Sequence, residues 1–314
     1  MKALEVNFDG LIGPTHNYAG LAYGNLASAA NKAMPANPRE AALQGLKKMK
    51  RLADLGLVQG VLPPHARPHL ATLRALGFQG SDKKILAAAA KAAPDLLKNV
   101  YAAAAMWTAN AATVAPSADS SDGRVHFTPA NLAANFHRAI EAETTGRILK
   151  AIFRSEKHFV HHAPLPGGVH MGDEGAANHC RFCKDYGDKG LHLFVYGQNA
   201  FRPGGAPEKF PGRQTLEASQ ALARLHKLDP GRVHFVQQNP KAIDAGVFHN
   251  DVVAVSNRHV FFYHQEAYEN PSELIGWLQD KAKDIPFHFI EVPSNLVSLA
   301  DAVKSYLFNS QLLS

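Results

Sequence analysis

The segment Gly172–His179 has the composition of a ligand-binding turn. It places the carboxyl groups of Asp173 and Glu174 between glycines and other small residues, which allow a ligand to approach closely. Burial at such a turn raises the pKa of a carboxyl group towards the range of a general acid. The sequence therefore indicates a candidate acid here, and an ordinary polar turn is the alternative.

A second polar group, His249 and Asp251, precedes the apolar run Val252–Val255. If this segment is the end of a strand, side chains two positions apart project to the same face. A histidine beside a carboxylate suits a general base next to a cation-binding group. A histidine satisfied in the core, with a neighbouring loop aspartate, is the alternative.

A long loop, Asp9–Asn25, follows the first predicted strand and is rich in glycine, with Asn, His and Tyr side chains. Glycines let backbone N–H groups come close to a ligand, and Asn and Tyr offer specific hydrogen bonds. The loop is therefore a candidate binding segment, and an ordinary surface loop is the alternative.

Candidate metal ligands crowd into a single segment: His161, His162, His170, Glu174, His179, Cys180 and Cys183. The two cysteines form one C-x-x-C pair, whereas a structural zinc site usually needs a second ligand pair at a defined distance. With 17 histidines in the chain, local clustering is a weak signal. We expect no metal site and two reduced, non-catalytic thiols.

Strand and helix patterns alternate along the chain and must position these residues. Short β-branched or aromatic runs predict strands at Leu4–Phe8, Val125–Phe127, Leu191–Tyr196, Val233–Gln237, Val252–Ser256, Val260–Tyr263 and Phe287–Val292. Helical patterns cover Arg39–Leu55, His65–Leu76, Lys83–Lys91, Thr144–Phe153, Arg213–Leu225 and Pro271–Lys283. The two strands on either side of residues 257–259 predict a hairpin. We expect an α/β fold in a single domain, 1–314.

Composition and charge restrict the class of protein. The chain has 314 residues, 46% of them hydrophobic, and 2 Cys, which suits a globular protein with a sizeable core and no disulfide scaffold. Its net charge of +6 comes from dispersed basic residues, and the sequence has no Gly-rich phosphate motif. We expect a cytoplasmic protein with a small-molecule, anionic substrate, no nucleic-acid partner and no membrane span.

Many segments of the chain, in one order, resemble the N-succinylarginine dihydrolase family. The matching stretches are Glu5–Leu11, Asn17–Leu21, Gly24-Asn25, Met106–Thr113, Phe136–Arg138, Gly172–His179, Gln237–Pro240, Val247–Val252 and Tyr306–Leu313. The resemblance implies a pentein, or amidinotransferase-like, α/β propeller of ββαβ modules around a pseudo-fivefold axis. It also implies that N2-succinylarginine and two waters give N2-succinylornithine, two ammonia and carbon dioxide in arginine catabolism by the succinyltransferase route. No metal or organic cofactor is expected.

The resemblance also implies roles for individual residues. Glu174 and His249 correspond to the catalytic acid/base pair. The substrate loop corresponds to Ala19, Gly20, Leu21, Ala22, Tyr23, Gly24, Asn25, Leu26, Ala27 and Ser28. Further substrate contacts correspond to Asn110, His137, Arg138, Arg213 and Asp251. In this reading a carboxylate such as Asp251 pairs with the guanidinium, and the two arginines pair with the substrate's carboxylates.

One catalytic group of the family is not found in the chain. The family attacks the guanidinium carbon with a thiolate, which follows an Asn-Gly-Gly-Gly stretch near its C-terminus. Neither occurs here, and Cys180 and Cys183 do not align with the nucleophile. We expect an N-terminal portion of a dihydrolase, incomplete at its C-terminal end and inactive alone, with an open sheet edge that favours a homodimer. A zinc-dependent amidohydrolase built on His161–Cys183 and a non-catalytic protein that binds arginine derivatives stay open as alternatives.

Overall fold

The computed structural model describes residues 3–18, 20–202 and 204–314. Strands β1 to β11 are Val6–Gly10, Val58–Leu62, Ala112–Ala115, Val125–Pro129, Phe159–His161, His179–Phe182, Leu191–Tyr196, Val233–Gln237, Ala254–Asn257, Val260–His264 and His288–Val292. Helices α1 to α11 are Leu26–Ala30, Pro38–Asp54, Leu70–Ala75, Asp82–Ala92, Pro94–Val100, Phe136–Ala139, Ala142–Ile152, Leu216–Leu225, Pro240–Asp244, Pro271–Lys281 and Leu299–Ser305. Short 3-10 turns lie between several of these elements. The predicted α/β class is confirmed.

The described strands form four small sheets, three of which contain both antiparallel and parallel pairs. In the sheets β3-β4-β5, β6-β7-β8 and β9-β10-β11, two consecutive strands pair antiparallel and the third returns parallel to the second. A parallel return needs a crossover, and α7, α8 and α10 lie in these crossovers. In the remaining sheet β1 pairs parallel with β2. The β9-β10 pair confirms the predicted hairpin.

Several predicted boundaries were wrong: the helix predicted from Arg213 begins at Leu216, and the strand predicted at Leu4–Phe8 is Val6–Gly10. Two further boundaries were wrong for local reasons. The strand predicted at Val252–Ser256 begins only at Ala254, because Asn250–Val252 forms a 3-10 turn. The helix predicted from His65 begins at Leu70, since the proline at position 68 disfavours helical backbone at the residue before it. By contrast, the apolar runs that form β7 and β8 were predicted with their observed boundaries.

Helix α2 buries only part of its apolar face. Pro38 occupies its first turn and Asn37 accepts a hydrogen bond from the Glu40 backbone N–H, which together favour initiation at this point. Of its apolar side chains, Met49 and Leu52 are buried, whereas Leu43 and Leu46 stay 37% and 46% exposed. The basic side of the helix, with Lys47, Lys48, Lys50 and Arg51, is exposed to solvent. No helix in the described part of the chain is long and apolar enough to cross a membrane.

The largest apolar core lies between the sheets β6-β7-β8 and β9-β10-β11. It contains Phe182, Leu193, Phe261 and Leu278, all fully or almost fully buried. Strands β6 and β9 contact each other across this core. Each is preceded by a short 3-10 turn, Gly175–Asn178 before β6 and Asn250–Val252 before β9. Packing of the two strands therefore brings these two polar turns together.

Candidate active site

Backbone contacts hold Glu174 at the start of the first turn. Its N–H donates to Oε1 of Gln214 at 2.7 Å, and its carbonyl accepts from Nδ2 of Asn110 at 2.8 Å. The next residue, Gly175, has φ of +73°, and a Cβ there would lie 3.3 Å from the Asn110 backbone. Only glycine adopts this conformation readily in so confined a space. The glycine-flanked turn is thus a close-approach turn, as its composition indicated.

The carboxylate of Glu174 is the centre of a buried ionic cluster. Its Oε2 accepts from Nη1 of Arg138 at 2.7 Å and from Nε2 of His249 at 2.6 Å. All three residues are at most 4% exposed. Burial alone would raise the pKa of Glu174, but the Arg138 guanidinium and the His249 hydrogen bond outweigh it and hold the pKa below its usual range. The expectation of a raised carboxyl pKa was therefore wrong for Glu174, which stays anionic.

His249 is a neutral imidazole at neutral pH. Burial lowers its pKa to about 4, against the opposing effect of Glu174. Because a carboxylate can only accept, Nε2 must carry the proton that bonds to Glu174. Nδ1 is then the acceptor nitrogen, and it lies 4.0 Å from Oδ1 of Asp251. The free lone pair of His249 thus faces the Asp251 side of the site.

Asp251 reaches this site from a turn and not from a strand. His249 has extended backbone angles, and the 3-10 turn Asn250–Val252 follows it directly. The two side chains do converge as predicted, but through the turn and not through strand alternation. The Asp251 side chain is 25% exposed, and burial raises its pKa to about 7, partly offset by Arg138.

Three buried polar atoms of this cluster have no partner among the described residues: Oε1 of Glu174, Oδ1 of Asp251 and Nη2 of Arg138. A buried polar group without a hydrogen bond costs about 1–3 kcal/mol. Two such carboxylate oxygens, on groups that flank the His249 ring, suit a ligand that presents several N–H donors and a positive charge, as a guanidinium does. The remaining Arg138 N–H suits an acceptor on the same ligand.

Arg213 and His137 complete the cluster. Arg213 donates from Nη2 to the carbonyl oxygen of Tyr23, and its guanidinium lies 5.0 Å from the ring centroid of Phe248. Burial lowers the pKa of Arg213 to about 10, so it keeps its charge. Burial and the neighbouring arginines lower the pKa of His137 to about 4. A fixed cation and a neutral imidazole therefore lie near Glu174.

The predicted substrate loop joins the site through Tyr23. Ala19 lies outside the described residues. Tyr23 packs edge to face on Phe210 with centroids 5.3 Å apart, and Asn25 caps α1 by accepting from the Ser28 N–H. The remaining predicted loop positions, Gly20, Leu21, Ala22, Gly24, Leu26 and Ala27, are partly or largely exposed. The structure thus links the loop to Arg213 and shapes it by capping and aromatic packing.

The candidate metal ligands are dispersed. His161 bonds to the Phe153 carbonyl, His162 to His126, and His179 to His192. His170 stacks on Phe201. Across residues 3–18, 20–202 and 204–314, no group of three or more His, Cys, Asp or Glu side chains is arranged to hold a metal ion. The cluster required by the zinc alternative is therefore not assembled.

Both cysteines are free, buried thiols. Sγ of Cys180 accepts from Nδ2 of Asn250 at 3.6 Å, and Sγ of Cys183 accepts from Nη1 of Arg181 at 3.0 Å. Burial raises the pKa of each thiol, which disfavours the nucleophilic thiolate. Neither has the surroundings of an activated nucleophile.

Sequence reasoning missed two residues that shape the site. Gln214 holds the Glu174 backbone, and Oδ1 of Asn178 accepts the Asn250 N–H at 2.8 Å. Gln214 stands next to a predicted substrate contact and Asn178 stands within the predicted polar turn. The residue types alone did not predict this role, because each side chain bonds to a backbone N–H of a residue that is distant in sequence.

Comparison with solved structures supports the fold. The chain superposes on the apo structure of ArgZ, an arginine dihydrolase from the ornithine-ammonia cycle in Cyanobacteria, with a TM-score of 0.56. The identity is 16%, and the match covers 98% of this chain and 33% of ArgZ. At this identity the likeness is one of fold: the mixed α/β architecture is shared.

Comparison with known sequences defines the family. A model of the succinylarginine dihydrolase (AstB) family matches residues 2–314. The N-succinylarginine dihydrolase of Aeromonas hydrophila subsp. hydrophila is 60% identical over 316 residues, covering 100% of this chain and 71% of the relative. That of Marinobacter nauticus is 61% identical over 312 residues, with coverages of 99% and 70%. The chain belongs to the succinylarginine dihydrolase family.

Proposed function

We propose that this chain carries the substrate site and the Glu174–His249 pair of an N-succinylarginine dihydrolase. The reaction hydrolyses the guanidino group of N2-succinylarginine in two steps. The first water gives the ureido compound and one ammonia, and the second gives N2-succinylornithine, the second ammonia and carbon dioxide. The observation that carries the proposal is the pair of partnerless carboxylate oxygens on Glu174 and Asp251 beside His249.

The guanidinium of the substrate binds between the two carboxylates. Its N–H groups donate to Oε1 of Glu174 and Oδ1 of Asp251, which have no partner in the described protein. Arg213 keeps a full charge for a substrate carboxylate. Arg138 is already committed to Glu174 through Nη1, so only its Nη2 is available to the substrate.

His249 moves the protons of the reaction. Its Nε2–H is directed to Glu174, so its Nδ1 is the basic nitrogen. Expulsion of each ammonia requires a proton on the departing nitrogen. We assign this transfer to Nδ1, which takes a proton from the attacking thiol or water and delivers it to that nitrogen while Glu174 stabilises the imidazolium that forms transiently. The attacking thiolate is a further requirement of the family's reaction. The thiolate step of the family has no counterpart in Cys180 or Cys183.

The binding part of the proposal is tested by calorimetry with N2-succinylarginine and with arginine. We expect the succinylated compound to bind and arginine, which lacks the succinyl carboxylate, to bind at least about tenfold more weakly. Asp251→Asn retains shape and removes the charge, and it should weaken binding by about 30-fold or more. Equal binding of arginine, or an Asp251→Asn variant with unchanged affinity, would contradict this assignment.

We further propose a pentein-type propeller for the whole arrangement, in one catalytic domain, 1–314. The repeated order of an antiparallel pair, a helix and a parallel strand in three of the sheets supports the ββαβ module. Contacts distant in sequence support one domain: Tyr186 bonds to Glu5 and to Ser314, and Arg213 to Tyr23. A single cooperative unfolding transition, seen alike by fluorescence and circular dichroism, is the expected result.

A homodimer in the cytoplasm is also part of the proposal. The neighbouring valines Val6 and Val58 are 42% and 48% exposed on the two-stranded sheet, which offers an apolar contact surface. The free thiols at Cys180 and Cys183 suit a reducing compartment. Sedimentation of the wild type against Val58→Asp tests the dimer, because the variant should shift the population to monomer.

A further inference from the structure

Asn250 lies between two site residues in sequence, but its side chain points away from the site. Its Oδ1 accepts from the Tyr268 hydroxyl at 2.8 Å, and its Nδ2 donates to Sγ of Cys180 at 3.6 Å. Its backbone N–H donates to Oδ1 of Asn178 at 2.8 Å. These four residues are between 2% and 6% exposed. None of them is a substrate contact in the proposed function.

The hydrogen bond from Asn178 joins the two turns that form the site. Asn178 ends the turn that begins after Glu174, and Asn250 begins the turn that follows His249. Because the Asn250 side chain is anchored in the core, the residues on either side of it are held in other directions. His249 and Asp251 consequently face Glu174 and each other.

The polar character of this anchor calls for an explanation other than stability. Asn250 and Tyr268 lie against the largest apolar core, whose members include Val252, Val253 and Phe261. Apolar side chains of the same shape would fill that space without needing partners. Directional hydrogen bonds, by contrast, select one orientation of a turn.

We propose that Asn250, held by Asn178, Cys180 and Tyr268, is a positioning residue that fixes how His249 and Asp251 face Glu174. The expected effect on substrate affinity rests on the proposed function. The His249–Glu174 hydrogen bond exists without substrate, so the anchor can also be tested in the free protein. In this arrangement Cys180 serves as a hydrogen-bond acceptor in the core.

The chain offers a matched pair of variants for the test. Tyr268→Phe removes the donor to Asn250, whereas Tyr263→Phe removes a hydroxyl that donates to Glu291 at 3.2 Å. The two tyrosines belong to one core cluster, are 2% and 4% exposed, and have ring centroids 6.4 Å apart. Each variant therefore loses one phenolic hydroxyl and its hydrogen bond from this core, and only Tyr268→Phe loses the contact with Asn250.

Two readouts separate positioning from general destabilisation. The first is hydrogen exchange of the His249 Nε2 proton, observed by NMR in protein labelled with nitrogen-15 histidine and assigned with His249→Gln. The second is the affinity for N2-succinylarginine. Relative to Tyr263→Phe, we expect Tyr268→Phe to exchange this proton about tenfold faster and to bind about 3- to 10-fold more weakly. The urea midpoints of the two variants should be similar.

Equal exchange rates and equal affinities in the two variants would overturn the proposal. Faster exchange in Tyr268→Phe, in a protein whose wild type does not bind N2-succinylarginine, would uphold the anchor and reject the proposed function. If Tyr268→Phe does not fold, Cys180→Ala against Cys183→Ala takes its place, because only Cys180 touches Asn250. Faster exchange in Cys180→Ala supports the anchor, and identical exchange in both rejects it.

Discussion

Glu174 can stay ionised in a buried position because it shares one oxygen with two donors. Arg138 and His249 both bond to Oε2, which leaves Oε1 for a ligand. Part of the positive charge of Arg138 is neutralised by Glu174 and is not available to a ligand. Binding of a cationic group at this site therefore depends on the ionised form of Glu174, which Arg138 and His249 stabilise.

Replacement of that carboxylate by its amide should remove most of the binding. In Glu174→Gln we expect the affinity for N2-succinylarginine to fall by about 30-fold or more, because Arg138 is left buried beside a neutral group and the guanidinium loses one counter-charge. Calorimetry gives the measurement. Glu143→Gln is the control, since Glu143 is exposed on α7, and a loss of the same size there would contradict the assignment.

The ionisation of Asp251 predicts the pH dependence of binding. Its pKa is raised to about 7, so the carboxyl becomes anionic only as the pH rises through that value. We expect the affinity for N2-succinylarginine to increase from pH 5 to pH 8, measured by calorimetry in buffers of equal ionic strength. In Asp251→Asn this increase should disappear. A variant that retains the full pH dependence would place the titrating group elsewhere.

At the scale of elements, buried imidazoles lie on β4 and β7 and at the end of α8. His126 on β4 bonds to His162, and its ring is 5.7 Å from that of His226 at the end of α8. His192 on β7 bonds to His179 on β6. His226 is fully buried, and burial and the neighbouring histidines lower its pKa to about 3. Packing at the contact between α8 and β4, where His226 bonds to Thr128, therefore disfavours the protonated form of His226.

Acid should weaken this contact. A histidine with a pKa near 6.5 when unfolded and about 3 when folded favours the unfolded state as the pH falls below 6.5, because only the unfolded chain takes up the proton. His226→Gln should therefore remove about 2 kcal/mol of the loss in unfolding free energy between pH 7 and pH 5. Urea unfolding at the two pH values measures it, and exposed His158→Gln should show the wild-type difference.

At the scale of the molecule, the site is assembled from parts of the chain that are far apart in sequence. Arg138 comes from helix α6, and the other members come from different loops and turns beside separate sheets: Tyr23, Glu174, Arg213 and Asp251. Repeated ββαβ units place those turns near one another. Binding of a single small molecule should accordingly stabilise the chain as a whole.

The placement of the thiols predicts the behaviour of the 314 residues in an assay. We expect binding of N2-succinylarginine without release of ammonia, because Cys180 and Cys183 are buried and have raised pKa values. A coupled ammonia assay, with calorimetry on the same sample, makes the measurement. Any ammonia release by the 314 residues would contradict this expectation, and release that survives the double change to alanine would show that another group is the nucleophile.

The sequence by itself determined the elements whose signal is local. The β-branched and aromatic runs of β7 and β8 predicted their own boundaries, since such a run is a local signal of a strand. The hairpin and the α/β class followed from the same patterns. Glu174 and His249 were identified as candidates by their glycine-rich or strand-flanking surroundings, and resemblance added Arg138 and Arg213.

Only the tertiary structure decided how those residues work. It brought Asp251 towards His249 through a 3-10 turn, bonded Nη1 of Arg138 to Glu174, and buried the side chain of Asn250 in the core. Each of these depends on hydrogen bonds between groups at least 18 positions apart in sequence or on the burial around them. A local pattern carries no information about such partners, because the energy of a buried polar group is set by whatever the fold brings within reach.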